Sequence, residues 1–260
     1  MGNWSNILSV LLGYGNGSFA NQTQYLTGSD SQSVAVGDFN NDNHLDIVVA
    51  YYASEGVVSV LLGYGNGSFA DQRTYSIGWY SQSVAVGDFN NDNQLDIVAA
   101  HYASEGVVGV LLGYGNGSFS NQVTYSVGSL PSSIAVGDFN NDNRLDIVVA
   151  NTMDNTVSVL LGHGNGSFAN QTTYSTSYHS YSLAVGDFNN DTQLDIVATH
   201  CLWDGTVSVL LGYGNGSFAN QVKYLAGAVP CSVAVGDFNN DIRSDIVVTN
   251  RDNNTITVLF

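Results

Sequence analysis

Apolar and polar positions alternate along short stretches of this chain, which is the period expected of half-buried β-strands. One unit contains an alternating segment, a β-branched run and two further apolar segments, separated by turns rich in Gly, Asn and Asp. The predicted strands of that unit are Ser33–Phe39, Leu45–Ala50, Val57–Gly63 and Phe69–Tyr75. No segment keeps a period of 3.6 residues, so the pattern predicts an all-β chain.

This four-strand unit repeats along the whole chain with a period of 49 or 50 residues. The string GDFNND begins at Gly37, Gly87, Gly137, Gly186 and Gly236, and LLGxGNGSF begins at Leu11, Leu61, Leu111, Leu160 and Leu210. Four antiparallel strands in a unit of this length are typical of a propeller blade. The sequence therefore predicts one domain over residues 1–260, a five-bladed β-propeller of four-stranded antiparallel blades.

The third strand of the unit occurs once more than the others, because Ser5–Leu12 and Asn254–Phe260 are copies of the same element. A closed ring of five blades needs only one of them. We expect the N-terminal hairpin to complete the last blade and close the ring. The redundant third strand at 254–260 or its N-terminal copy is then either disordered or available to a neighbouring molecule, which would give head-to-tail filaments.

An acidic loop follows the first strand of every unit, in the pattern Asp38-x-Asn40-x-Asp42-x-His44-x-Asp46. Side-chain oxygens at loop positions 1, 3, 5 and 9, with a main-chain carbonyl at position 7, suit Ca²⁺. The loop lacks the Gly and Glu of an EF-hand and has no repeated Cys or His for zinc. The alternative is a set of Asx turns without metal.

The loops predict up to five structural Ca²⁺ sites. Their side-chain ligands are Asp38, Asn40, Asp42 and Asp46; Asp88, Asn90, Asp92 and Asp96; Asp138, Asn140, Asp142 and Asp146; Asp187, Asn189, Asp191 and Asp195; and Asp237, Asn239, Asp241 and Asp245. The position-7 residues, which contribute through the backbone carbonyl, are His44, Gln94, Arg144, Gln193 and Arg243.

The units resemble FG-GAP/VCBS repeats, the calcium-binding blades of integrin α-subunit propellers and related lectin-like and extracellular proteins. The five DxNxDxxxD loops carry this resemblance, which covers nearly the whole chain. It implies a β-propeller with Ca²⁺ in the loops of one face. The Gly that is usual at loop position 6 in that family is absent from every copy, and the family often has seven blades.

The chain has 22 acidic residues against 5 Lys and Arg, a formal net charge of -17. Fifteen of those acids lie in the five loops, so five bound Ca²⁺ ions would leave a charge of about -7, within the usual range for a small domain. The acidity argues against nucleic acid as a partner. No apolar run approaches the roughly 20 residues of a membrane-spanning helix.

The acidic loops and the YGNGS turns are nearly invariant between units and should share one end of the blades. The connections at the opposite end vary and carry aromatic and His side chains, which suit stacking on a sugar or anchoring a protein. The candidate ligand face comprises Tyr52, Trp79, Tyr80, Tyr102, Tyr178, His179 and Trp203. The competing interpretation is solvent loops whose aromatic residues pack between blades.

Sequons, low Lys content and the calcium loops together predict a secreted N-glycoprotein. The candidate glycosylation sites are Asn16, Asn21, Asn66, Asn116, Asn165, Asn170 and Asn215. Cys201 and Cys231 should both lie on the variable face, either as a disulfide between blades or as two buried thiols. No nucleophile–base set stands out, so we expect a binding or structural module, not an enzyme: either a self-assembling glycoprotein or a lectin-like or adhesion receptor.

Overall fold

A computed structural model describes residues 6–53, 56–202 and 204–260, and its regular elements are all β-strands. The first strands of the units are β3 (Ser31–Gly37), β7 (Ser81–Gly87), β11 (Pro131–Gly137), β15 (Ser180–Gly186) and β19 (Pro230–Gly236). The second strands are β4 (Asp46–Tyr51), β8 (Asp96–His101), β12 (Asp146–Asn151), β16 (Asp195–His200) and β20 (Asp245–Asn250).

Third and fourth strands complete the pattern. The third strands are β1 (Ile7–Val10), β5 (Val57–Leu61), β9 (Val107–Leu111), β13 (Thr156–Leu160), β17 (Thr206–Leu210) and β21 (Thr255–Leu259). The fourth strands are β2 (Thr23–Leu26), β6 (Arg73–Ser76), β10 (Val123–Ser126), β14 (Thr172–Ser175) and β18 (Val222–Leu225). In the described part of the chain, no helix is long and apolar enough to cross a membrane.

In the described part of the chain, the strands form six antiparallel sheets. Sheets 1 to 4 each have four strands in chain order: β3–β6, β7–β10, β11–β14 and β15–β18. Sheet 0 holds only β1 and β2, and sheet 5 holds β19, β20 and β21. The repeated four-stranded sheets fit a propeller-like architecture. The count of five blades and the closure of a ring by the N-terminal hairpin stay predictions, since β2 pairs with β1 in a sheet of its own.

The predicted fourth strand is shorter than expected. Its pattern predicts pairing over Phe69–Tyr75, whereas β6 begins at Arg73, and Phe69 forms only an isolated bridge with Gly63. Between Phe69 and Arg73, Ala70 donates a backbone hydrogen bond to the Leu62 carbonyl at 2.8 Å, and Asp71 and Gln72 belong to no strand. The other three predicted strands are found, with ends displaced by one or two residues.

The core lies between neighbouring sheets. Val48 and Val58 of sheet 1 pack against Ile97 and Leu111 of sheet 2, and equivalent clusters join sheets 2 to 3 and 3 to 4. First strands contact one another in the order β3, β7, β11, β15, β19. Small residues permit this approach, because the side chain of a neighbouring leucine would lie 2.4 Å from a Cβ added at Gly37.

The two ends of this stack are exposed. On the outer face of sheet 1, Val34 and Val36 are each 54% exposed, whereas Val84, the counterpart of Val34 in sheet 2, is buried. On the outer face of sheet 5, Phe238 is 53% exposed, whereas its counterpart Phe39 is buried. Side chains whose counterparts are buried between sheets are therefore exposed to solvent on sheet 1 and on sheet 5.

The last residue of each second strand is buried but differs between units: Tyr51, His101, Asn151, His200 and Asn250. The ring Nε2 of His200 shares a 2.7 Å hydrogen bond with Ser208 Oγ. In unit 2, Gly109 occupies the position of Ser208. The Nε2 of His101 therefore has no hydrogen-bond partner in the described chain. Burial lowers the pKa of both His101 and His200 from 6.5 to about 4.

These histidines predict a loss of stability in mild acid. Between pH 6.5 and pH 4, each histidine is protonated in the unfolded chain but not in the folded chain. The folded state therefore has its full stability above pH 6.5 and loses stability as the pH falls toward 4. At pH 5 each histidine should cost about 2 kcal/mol relative to neutral pH. His101→Asn and His200→Asn, which copy Asn151, should each reduce the difference in unfolding free energy between pH 7 and pH 5 by that amount in urea titrations. An unchanged difference would refute the assignment.

Candidate functional site

The acidic loop of unit 1 is closed by hydrogen bonds from its own backbone. Asp38 accepts the amide N–H of Asp42 at 3.1 Å on Oδ1 and that of Asn43 at 2.8 Å on Oδ2. Asp42 Oδ1 accepts the amide of His44 at 2.8 Å, and this contact lowers the pKa of the Asp42 carboxyl. The same contacts recur in the other four loops, so the Asx-turn geometry that the sequence allows is present in each.

The carboxylate at loop position 9 is buried and joins the loop to the third strand. Asp46 Oδ2 accepts the amide of Phe39 at 2.8 Å, and Asp46 Oδ1 accepts the amide of Gly63 at 2.7 Å. Burial raises the pKa of this carboxyl, and the charges of Asp42 and Asp38 raise it further. At the equivalent Asp96 and Asp146, burial raises the pKa to about 6.

Positions 4 and 6 of every loop have positive φ. At position 6 the angle is 63° for Asn43 but also 68° for Thr192 and 70° for Ile242. Asn tolerates this left-handed region, whereas β-branched residues are strained there. The Gly that is usual at this position in the resembling family would remove the strain, so units 4 and 5 carry a local cost that units 1 to 3 largely avoid.

Ile242→Asn should stabilise the protein by about 1 kcal/mol, because Asn accepts the left-handed backbone and Ile242 loses no burial, being 91% exposed. Urea denaturation at fixed Ca²⁺ would measure the change. The reverse exchange, Asn43→Ile in unit 1, is the matched control and should destabilise by a similar amount. Equal stability of both variants and the parent would show that the loop backbone is unstrained.

The donor set of each loop is compatible with a hard cation. Asp, Asn, Asp, a main-chain carbonyl and a buried Asp supply only oxygen, which Ca²⁺ prefers. Within residues 6–53, 56–202 and 204–260, no three His, Cys, Asp or Glu side chains are gathered closely enough to form a metal cluster. The carboxylates instead turn toward backbone amides. Burial is the main cause of the raised pKa of Asp46, and the charges of Asp42 and Asp38 raise it further; a bound cation would relieve that repulsion.

The acidic loops of sheets 1, 2 and 3 each contact the YGNGS turn of the next sheet. The Phe39 carbonyl accepts the amide of Gly117 at 2.9 Å, and Tyr75 Oη donates to the Gly117 carbonyl at 2.7 Å. Asn41 Nδ2 donates to the side chain of Gln94 in the next loop. Loops and turns therefore lie together at one end of the sheets, as the sequence predicts, and form a continuous belt between neighbours.

The seven candidate glycosylation asparagines are exposed. In the five NGS turns, the asparagine Oδ1 accepts the backbone and hydroxyl groups of the serine two residues later, at 2.9 Å and 2.6 Å for Asn66. Among the described residues, Nδ2 of these asparagines, the atom that carries an N-linked glycan, has no hydrogen-bond partner. The exposed candidates are Asn16, Asn21, Asn66, Asn116, Asn165, Asn170 and Asn215.

The variable end brings together three of the predicted ligand-face residues. The ring of Tyr52 lies 5.1 Å from that of Tyr80 and 5.9 Å from that of Tyr102. Trp79 is exposed beside this cluster of three tyrosines, in the same connection as Tyr80. Trp203 lies outside the described residues. The cluster spans sheets 1 and 2, so the aromatic side chains of this face pack between units and are also partly exposed to solvent.

Tyr178 and His179 lie elsewhere, between sheets 3 and 4. Tyr178 is exposed at the rim of a polar pocket of about 360 Å³ that also includes Asp154, Ser177 and Lys223. Lys223 Nζ donates to Ser177 Oγ at 2.7 Å, and Ser177 Oγ donates to Asp204 Oδ2 at 2.6 Å. Sequence reasoning missed this network.

A comparison of the units with one another could have identified this network. Ser177 occupies the position that is Gly28, Gly78, Gly128 and Gly227 in the other units, and Lys223 occupies the position that is Thr74, Thr124 and Thr173.

Cys201 and Cys231 form a disulfide, with their Cα atoms 4.5 Å apart. Cys201 directly follows β16 of sheet 4, and Cys231 lies in β19 of sheet 5. The bond therefore joins neighbouring sheets at the variable end. Of the two alternatives that the sequence left open, a disulfide or two buried thiols, the structure has the disulfide. A disulfide of this kind is typical of proteins that fold in an oxidising compartment.

Several solved structures have a similar fold. A lectin from Agrocybe aegerita that recognises non-reducing terminal N-acetylglucosamine is 18% identical over 88% of this chain and 66% of its own, with a TM-score of 0.61. A functionally unknown protein from Desulfotomaculum acetoxidans is 11% identical over 98% of this chain and 76% of its own, with a TM-score of 0.68. The V. cholerae biofilm matrix protein Bap1 is 20% identical over 88% of this chain and 38% of its own, with a TM-score of 0.53.

These likenesses are of fold, and the chain spans less than two thirds of the lectin and of Bap1. No curated protein matched the sequence. The FG-GAP-like repeat, by contrast, matches residues 1–49, 38–99, 98–149 and 138–198, which together cover most of the chain. The protein belongs to the FG-GAP-like repeat family.

Proposed function

We propose that this protein is an extracellular, non-enzymatic structural module that assembles head to tail. The observation that carries the proposal is the exposure of repeat interiors at both ends of the sheet stack, at Val34 and Val36 on one side and Phe238 on the other. Two different, complementary ends make a heterologous contact that propagates into a filament unless it closes on itself. The biofilm matrix protein Bap1, similar in fold, supports a matrix role.

Calcium and glycans belong to the same proposal. Up to five Ca²⁺ ions would be held by the acidic loops, in unit 1 by Asp38, Asn40, Asp42, the His44 carbonyl and Asp46. A bound cation would neutralise the loop carboxylates and fix the hairpin between the first two strands. Exposed sequons and the Cys201–Cys231 bond support passage through an oxidising, glycosylating compartment.

Electron microscopy of the protein in Ca²⁺ tests the assembly. We expect filaments whose length increases with protein concentration. Single particles of monomer mass at all accessible concentrations would contradict a structural role and direct attention to ligand binding.

Glycan recognition on the variable face is the second candidate, favoured by the pocket between sheets 3 and 4. An exposed aromatic ring at Tyr178 offers stacking, while Asp154 and Lys223 offer a charged acceptor and donor. The N-acetylglucosamine specificity of the similar lectin makes glycans with that terminal sugar the first ligands to titrate.

Calorimetric titration with such a glycan should show binding that Tyr178→Ala abolishes and that Lys223→Thr, the residue of other units, weakens about tenfold. Tyr213→Ala removes an equally exposed ring in a YGNGS turn and should leave binding unchanged. Equal effects of Tyr178→Ala and Tyr213→Ala would argue against this pocket.

A further inference from the structure

An exposed tyrosine lies two residues before the sequon asparagine in the YGNGS turns. Tyr64, Tyr114 and Tyr213, in the turns of sheets 1, 2 and 4, are between 60% and 63% exposed. Sheet 3 has His163 at the same position. The three tyrosines belong to none of the buried clusters of the described chain, so the core does not use their rings. Each ring is therefore available to a group that is attached to, or binds, this turn.

The backbone of the turn places the ring and the sequon on one side. In sheet 1 the Tyr64 amide donates to the Ser68 carbonyl at 3.0 Å, next to the bridge between Gly63 and Phe69. Tyr64 and Ser68 therefore face each other across the hairpin, and the side chains of facing residues lie on the same side of a sheet. The amide and the hydroxyl of Ser68 both donate to Asn66 Oδ1, at 2.9 Å and 2.6 Å. Asn66 is thus held on the side of the turn that carries the Tyr64 ring.

The same geometry recurs in the turns of sheets 2 and 4. The amides of Tyr114 and Tyr213 each donate at 3.0 Å to the carbonyl of the serine four residues later. The hydroxyls of those serines donate to Asn116 at 2.5 Å and to Asn215 at 2.6 Å. In sheet 3 the His163 amide and Asn165 make the equivalent bonds, at 2.9 Å and 2.6 Å. Sheet 3 therefore has the same turn without the tyrosine ring, which makes it an internal comparison.

Glycines flank the sequon asparagine on both sides, so neither neighbour in the chain has a side chain to separate the asparagine amide from the ring. Gly65 and Gly67 have φ of 72° and 83°, a left-handed region that glycine adopts without strain. Asn66 is exposed, and its Nδ2 has no hydrogen-bond partner among the described residues. A sugar attached to Nδ2 would therefore displace no hydrogen bond of the turn.

We propose that the exposed tyrosine of each turn is a stacking platform for the first N-acetylglucosamine of a glycan carried on the asparagine two residues later. One face of the pyranose presents C–H groups, which pack on the face of an aromatic ring as other apolar groups do. The serine bonds already fix the asparagine, so little further freedom is lost when the sugar stacks. The inference rests on the proposed N-glycosylation and adds that these glycans stabilise the fold.

The candidate site at Asn170 lacks such a platform, although an aromatic residue has the same spacing there. Phe168 lies two residues before Asn170, but it is only 7% exposed. Its ring packs edge-on against Phe89 at 5.5 Å and Tyr125 at 5.3 Å, both from the preceding sheet. A sugar on Asn170 cannot stack on a ring that is buried in a sheet junction. The structure therefore separates two classes of sequon that the spacing alone makes equivalent.

The test compares two forms of the full chain in Ca²⁺. One is secreted from eukaryotic cells and trimmed enzymatically to a single N-acetylglucosamine at each site, and the other is made without glycans in the bacterial periplasm, where the disulfide forms. Mass spectrometry gives the occupancy of each asparagine, and thermal unfolding gives the melting temperature. Tyr64→Ala should lower the melting temperature of the trimmed glycoprotein by about 2 °C, and the triple variant with Tyr114→Ala and Tyr213→Ala by about 6 °C. Neither variant should change the melting temperature of the form without glycans.

His163→Tyr is the matched gain of function, because it adds the missing ring beside Asn165. It should raise the melting temperature of the trimmed glycoprotein by about 2 °C and leave the other form unchanged, a result that damage to the fold cannot imitate. If the asparagines are occupied but Tyr64→Ala acts equally on both forms, or His163→Tyr melts like the parent, the platform is overturned while glycosylation stands. Unoccupied Asn66, Asn116 and Asn215 in the secreted protein would overturn both.

Discussion

Chelation of Ca²⁺ should lower the unfolding free energy of this protein by on the order of 10 kcal/mol. A site that is filled at a free ion concentration one hundred times its Kd contributes about 2.7 kcal/mol, and five similar loops add their contributions. Without the ion, the carboxyl of Asp46 stays buried, and the charges of Asp42 and Asp38 act on it unopposed. Thermal unfolding followed by circular dichroism, with EDTA and with Ca²⁺, measures the difference.

A single-site variant separates ion binding from general charge effects. Asp38→Asn in unit 1 should remove roughly one fifth of the Ca²⁺ effect on stability. Asp71→Asn changes the net charge equally at an exposed position outside the loops and should leave the Ca²⁺ effect intact. A melting temperature that is the same in EDTA and in Ca²⁺ would show that the loops are Asx turns without structural metal.

Removal of the Cys201–Cys231 bond should be the next largest effect, about 3 to 4 kcal/mol by the chain-entropy relation for cysteines 30 residues apart. The bond restricts the unfolded chain across the junction of sheets 4 and 5, where the core is smaller than between complete sheets. Urea denaturation of the Cys201→Ser/Cys231→Ser protein would give this difference.

Reducing agent supplies the control for the disulfide. It should destabilise the parent by the same amount and leave the double variant unchanged. If the double variant were as stable as the parent, the packing of sheet 5 on sheet 4 would be sufficient without the covalent link.

The repeat made most of the fold predictable. A period of 49 or 50 residues with alternation in Ser33–Phe39 and a β-branched run at Leu45–Ala50 identified the strands of every unit at once. The acidic loops were identified because five copies keep Asp or Asn at the same positions. The fourth strand was overextended, because Phe69 has the apolar character of a strand residue but is used at a sheet junction.

Features that depend on how one sheet sits against the next could not be derived from spacing. Whether Cys201 and Cys231 are bonded depends on the separation of two neighbouring sheets, which the sequence does not encode locally. The Lys223–Ser177–Asp204 network likewise joins residues 27 and 46 positions apart. Comparison of the units with each other was the available signal, since Ser177 and Lys223 are departures from the repeat.

The order in which sheets touch has a mechanical consequence. Buried side-chain clusters join each sheet to the next along the chain, from sheet 1 to sheet 5, so the described part of the molecule is held together junction by junction. The disulfide cross-links the junction of sheets 4 and 5. A chain under tension should therefore yield in steps of about fifty residues and halt at the cross-linked pair.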